Sequence, residues 1–156
     1  SNNVVQISNI KGYKPTDTYK VSINYFNGYK ASSQLTISGP NALDKAKLTA
    51  EIIWKRLENA GIDFDDKLTE YLGFSSCHGV KIPNNKHGCN EIVLRMSVRD
   101  NDKNKLVRFG KELAPVITSG PPGITGFSGG RPRAQEIIAF WPCLIEKKYI
   151  KTKVIS

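Results

Sequence analysis

The stretch GPNALDKAKLTAEIIWKRLENAG, Gly39 to Gly61, decides the fold. Leu43, Ala46, Ala50, Ile53, Leu57 and Ala60 recur at spacings of three and four, which puts them on one stripe of a helix of about five turns. The stripe predicts a helix that lies on one face of the sheet. Asn41 is placed to cap it with its side-chain oxygen, and Asp44 adds negative charge near the positive end of the dipole. Gly61 gives a natural stop.

Upstream, Tyr19, Val21, Ile23 and Tyr25 alternate with Lys20, Ser22 and Asn24, a period of two that predicts a half-buried strand. Asn27-Gly28 then predicts a tight hairpin turn, with a return strand through Leu35 and Ile37. Val4, Val5 and Ile7 predict a further short strand at the start. Downstream, Leu68, Tyr71, Leu72 and Phe74 suggest a strand, and Ile92, Leu94, Met96 and Val98 another. Asp102 can cap a second helix carrying Leu106, Phe109, Leu113 and Val116, which Pro115 should kink or end. Ile137 to Trp141 is apolar on both faces and reads as a covered central strand. The fold class expected is α+β, a mostly antiparallel or mixed sheet with two long helices packed on it, in one domain.

The totals agree with a globular chain. Its 156 residues suit one domain, and 39% hydrophobic with 24% charged residues gives material for a core. No apolar run approaches membrane-spanning length, and no basic start followed by an apolar stretch marks a signal peptide. The cysteines, Cys77, Cys89 and Cys143, form no disulfide framework, so a reducing cytoplasm is the simpler expectation. A net charge of +9 could reflect a nucleic acid, an anionic ligand such as an acyl-coenzyme A, or only a lysine-rich composition. The lysines are scattered and no nucleic-acid module accompanies them; Tyr19, Tyr25 and Tyr29 are more simply core and sheet surface than base-stacking platforms.

Two stretches carry candidate chemistry. Cys77-His78-Gly79 and His87-Gly88-Cys89 bring thiols and imidazoles into one loop, yet adjacent Cys77 and His78 fit one tetrahedral ion poorly, so no metal is expected. His78, beside glycine at a strand end, suits an acid or base near neutral pH; Cys77 could be a nucleophile or an ordinary loop cysteine. The second stretch runs from Ser119 to Arg131. Gly120, Gly123, Gly126, Gly129 and Gly130 could let backbone N–H groups converge on an anion, with Arg131 adding a fork of donors. It has neither the Gly-Lys-Ser/Thr of a Walker loop nor the position of a dinucleotide fingerprint. The plain alternative is a connecting loop.

Taken in order, Pro15-Thr16-Asp17-Thr18-Tyr19-Lys20-Val21-Ser22, Tyr25 and Gly28, Gly39-Pro40-Asn41-Ala42, Lys45-Ala46, Cys77-His78-Gly79 and Thr118-Ser119-Gly120-Pro121 form a series. It resembles the acyclic terpene utilization protein family, over about Lys11 to Ile150, on the C-terminal half of that family's large domain. The resemblance implies a metabolic setting, since family members are encoded with enzymes that degrade citronellol, geraniol and related branched acyl-coenzyme A compounds. It leaves the reaction unsettled and the cofactor unknown. It also implies a partner, the family's N-terminal segment or a subunit that replaces it, and hence an oligomer. His78 and Gly79 carry over; Cys77 stands where family members carry leucine or a similar residue, and Pro122 and Phe127 stand among the loop glycines. Two functions follow as expectations, a domain or subunit of an enzyme of acyclic terpenoid or branched acyl-coenzyme A catabolism, or a non-catalytic assembly module supporting a partner subunit.

Overall fold

In a computed structural model, the chain is described over residues 3–74, 76–77, 89–127 and 129–155. It contains β1 (Thr18–Ser38), α1 (Ala42–Asn59), β2 (Asp66–Leu72), β3 (Glu91–Asp100), α2 (Lys103–Ser119), β4 (Ile124–Phe127) and β5 (Gln135–Glu146). The sheet runs β2-β3-β1-β4, with antiparallel pairing throughout that path, and β5 also pairs with β1. An antiparallel sheet with two helices is the α+β architecture the residue patterns imply. The chain divides into two compact units, Phe26–Ala139, and Ser1–Tyr25 with Phe140–Ser156.

In the larger unit, period-two patterning sorts the strands into faces. Ala31, Leu35 and Ile37 of β1 and Ile92, Leu94, Met96 and Val98 of β3 are buried. They meet Ala46, Ala50, Ile53 and Leu57 of α1 and Leu106, Phe109, Leu113 and Val116 of α2 in one cluster. The other face of the sheet is mostly polar, with Leu68, Leu72 and Val93 among its residues. Ser32 and Ser97 hydroxyls lie 2.8 Å apart, and the Arg95 and Arg99 guanidiniums donate to Glu70 and Asp66 of the neighbouring strand. Antiparallel sheets tolerate that asymmetry because each strand presents alternate residues to water.

The helices end as their sequences dictate, with two exceptions. Asp102 caps α2, its carboxylate accepting from the Asn104 N–H at 2.9 Å. The Ile62 and Gly61 N–H groups bond back to Leu57 and Glu58 carbonyls, the double closure that a left-handed Gly61 permits. Asn41, however, makes no side-chain cap bond; it sits at φ 57° and contributes only its carbonyl, which accepts from the Lys45 N–H at 3.1 Å. Pro115 does not end α2, which continues to Ser119. Glu112 ties the helices together. Its carboxylate accepts from Arg56 at 2.7 Å and from Arg108 at 2.8 Å.

Several sequence expectations are corrected. Asn27-Gly28 makes no hairpin, since β1 is continuous across it. A side-chain carbon on Gly28 would lie 2.8 Å from the Asn101 Oδ1 and 3.1 Å from the Asp100 carbonyl oxygen, so this glycine serves close approach, at φ 81°, rather than reversal. Val4, Val5 and Ile7 form no strand and are exposed. β5 is not a covered central strand: Ile138, Phe140, Trp141 and Leu144 are all more than half exposed. β4, inside the Gly-rich stretch, was not foreseen; four residues are too few for periodicity to register.

The smaller unit holds the first part of β1 and the last part of β5. The Lys147 N–H donates to the Asp17 carbonyl at 2.9 Å, and the Lys147 ammonium lies over the Tyr19 ring. No helix among the described residues is long and apolar enough to cross a membrane.

Candidate functional site

One end of the larger unit's sheet gathers the candidate segments. β1 leaves the sheet there at Ser38, β2 at Leu72, and β3 and β4 enter at Glu91 and Ile124. Antiparallel pairing of β2 with β3 and of β1 with β3 and β4 forces these ends together. At the same end the Cys89 thiol approaches the Gly73 carbonyl at 3.7 Å.

At this end the chain turns sharply from β1 into α1. The Gly39–Pro40 peptide bond is cis, and the Gly39 N–H donates to the Asn90 carbonyl at 2.5 Å. A side chain at Gly39 would collide with that carbonyl, 2.9 Å from the position of its first carbon. The left-handed Asn41 completes the turn, and α1 begins without a side-chain cap. Its first-turn N–H groups therefore keep their partial positive charge.

Gly123 lies across this turn. Its carbonyl accepts from the Ser38 N–H at 2.9 Å and from the Ser38 hydroxyl at 3.3 Å. A carbon added at Gly123 would fall 2.7 Å from the Ser38 Oγ and 3.0 Å from the Lys45 Nζ, and φ is 95°. The position demands glycine on both counts. An ammonium, a hydroxyl and the backbone of Gly123 thus share one small region at the start of α1.

The five glycines of the second candidate stretch divide between different settings. Gly120 donates its N–H to the Val116 carbonyl at 3.0 Å, so it ends α2. Gly123 joins the Lys45 region. Gly126 lies within β4 at φ 125°. Gly129 and Gly130 are exposed, at φ 81° and 80°, with open space beside them, and Arg131 is exposed. β4 separates Gly123 from Gly129, and a four-residue strand spans about 13 Å. Beyond it the chain crosses α2 at Gly110, where an added carbon would lie 2.8 Å from the Pro132 carbonyl oxygen.

Cys77 is exposed and Cys89 and Cys143 are half-buried, all three as free thiols. His78, Gly79 and His87 lie outside the described residues, and with them the acid–base reading and the zinc question.

Lys45, Ser38, the cis Gly39–Pro40 bond and Gly110 were not singled out from the sequence. One signal was available for Lys45. A cation in the first turn opposes the helix dipole, so a lysine there at a Gly-Pro-Asn entry is an anomaly that a bound anion would offset.

A family model described as acyclic terpene utilisation family protein AtuA matches residues 1–156, the whole chain. The chain belongs to this family. No curated protein and no solved structure matches it. The likeness thus extends past Lys11 and Ile150 to both ends of the chain, and it attaches the chain to acyclic terpene utilisation without supplying a reaction.

Proposed function

We propose that this member of the acyclic terpene utilisation family works as a domain or subunit of an enzyme that degrades acyclic terpenoid or branched acyl-coenzyme A compounds. It supplies an anion-accepting corner at Lys45, Ser38 and Gly123. The single observation behind this reading is the Lys45 Nζ set against a left-handed Gly123 at an uncapped helix start. A carboxylate or phosphate there meets an ammonium, a hydroxyl and first-turn N–H groups, and charge-assisted bonds of this kind contribute about 1.5–3 kcal/mol each when shielded from water. The excess of lysine over acid in the chain favours approach of a polyanion such as coenzyme A at low salt. In this reading His78 is the acid or base, with Gly79 part of the ligand site. Gly129, Gly130 and Arg131 serve a second anionic group of a ligand long enough to pass β4.

Titration calorimetry with a branched acyl-coenzyme A tests this. Lys45→Met and Arg131→Ala are expected each to weaken binding about tenfold, a loss of about 1.4 kcal/mol. Unchanged affinity in both variants would remove the anion reading. A second reading, an assembly module without chemistry of its own, is favoured by the apolar exposure of the smaller unit. His78→Asn separates the two, since only the enzyme reading expects turnover to be lost with binding kept.

A further inference from the structure

The ribbon of the smaller unit sorts its residues by chemistry. In the first part of β1, Tyr19, Val21, Ile23 and Tyr25 leave on one face, and Lys20, Ser22 and Asn24 on the other. The Lys147 N–H reaches the Asp17 carbonyl where β1 begins and β5 ends, so these paired strands run antiparallel with Lys147 opposite Asp17. Counting back by twos along β5 brings Ile145, Cys143 and Trp141 onto the face of Tyr19, and the Lys147 ammonium over the Tyr19 ring marks the same face. Tyr19, Ile23, Tyr25 and Trp141 stay exposed on it, Trp141 at 61%. Phe140 and Leu144 leave β5 on the opposite face and are no part of this row.

We infer that this one face docks on an anionic lipid surface. Charge names the occupant. Apart from Asp17 and Glu146, every charged residue of the unit is a lysine, and Lys147, Lys148, Lys151 and Lys153 follow β5 directly. A lipid surface presents negative headgroups to these lysines and acyl chains beneath them. Tyrosine and tryptophan, each an apolar ring with one polar atom, suit the boundary between the two, and Ile23 lies in the row with them. The polar row of Lys20, Ser22 and Asn24 stays in water on the other face, so the contact is with the surface and spans nothing. A nucleic acid fits less well. Val21, Ile23 and Ile145 offer a base no plane to stack on, and the unit has no arginine to grip phosphate with a fork.

The test is sedimentation of the 156-residue chain with phosphatidylcholine vesicles, with and without phosphatidylserine. Binding is expected only where phosphatidylserine is present, and it should weaken as salt rises. Trp141→Ser, and the double variant Lys151→Gln with Lys153→Gln, should each weaken it about tenfold. Phe140→Ser, one residue along on the other face, should change it by about twofold or less, as should Lys47→Gln with Lys111→Gln on the helices of the larger unit. All these positions are exposed in the single chain, and unchanged circular dichroism would confirm that each variant folds. Three results would overturn the proposal: no binding to vesicles with phosphatidylserine, equal losses from Trp141→Ser and Phe140→Ser, or tighter binding to an oligonucleotide than to the vesicles. An oligomer seen by light scattering without vesicles, and dissociated by Trp141→Ser, would assign the face to a protein contact instead.

Discussion

β1 runs through two environments, and the difference between them is instructive. From Tyr29 to Ser38 its alternation resolves into a buried row, Ala31, Ser33, Leu35 and Ile37, and a polar row, because two helices cover one face. From Tyr19 to Tyr25 the same alternation, with larger apolar residues, buries nothing fully. Period-two patterning therefore specifies an extended chain and its faces, but burial depends on a second layer. The larger unit supplies that layer from its own sequence; the smaller does not.

The comparison is broken most directly by cutting one aromatic from each region. Phe109 is fully buried against Trp54 and Phe64, with ring centroids 6.2 Å away in both cases. Phe109→Ala should cost about 3–5 kcal/mol in urea unfolding. Phe140→Ala, at an exposed position, should cost about 0.5 kcal/mol or less. Similar losses at the two positions would mean that the ribbon is packed in the single chain.

Acid sharpens the contrast, because the larger unit alone holds carboxyls that are buried and paired. Burial works against the charge on Glu112, yet hydrogen bonds from Arg56 and Arg108 outweigh it and hold the carboxyl below its usual range. Asp100 behaves alike: burial opposes its charge, and the Lys105 ammonium and the Asp102 N–H prevail. A group whose folded pKa is depressed stabilises the fold above its unfolded pKa, and that contribution fades as pH falls through the folded value. Stability of the larger unit should thus be level near neutrality and decline below about pH 4, the ordinary carboxylate range. Glu112→Gln should flatten part of that decline and cost about 1–2 kcal/mol at neutral pH, the lower figure reflecting its half-exposed arginines. An acid profile identical to that of the parent chain would exclude Glu112 as a source.

Legibility in the sequence followed the same divide. Both helices, the strand from Ile92 to Val98 and the α+β class are written in periodicities long enough to exceed chance. Three failures have physical causes. Asn27-Gly28 has the composition of a hairpin turn, but composition cannot tell positive φ used for reversal from positive φ used for close approach. Ile137 to Trp141 is apolar on both sides, which in most sheets means two covers and here means exposure. The Lys45 corner joins residues far apart in the chain, Ser38, Lys45 and Gly123, and only the β1–β4 pairing brings them together. The Gly-rich stretch itself was visible, but not the strand that divides it. Of the family resemblance, the membership is established by a match to the whole chain, and the chemistry at His78 is left to experiment.

The most local expected effect lies where the two environments of β1 meet. Gly28 sits just before Tyr29, the first residue of β1 to pair with β3, opposite Asp100. Gly28→Ala would place a carbon at φ 81° against a side-chain oxygen that can move and a backbone oxygen that cannot. The left-handed conformation costs an alanine about 1–2 kcal/mol, and a small shift of the strand end would relieve most of the contact. The loss should therefore be about 1–2 kcal/mol and local. Hydrogen exchange separates a local loss from a global one. Amides near Tyr29 and Asp100 should exchange faster, while those near Leu35 and Leu94, in the middle of the ladder, should slow or quicken only with overall stability. If the hairpin reading of Asn27-Gly28 had held, the substitution would have disturbed the pairing of the whole strand. Uniformly faster exchange from Tyr29 through Ile37, beyond what the change in overall stability explains, would show that Gly28 governs more of β1 than its own contact.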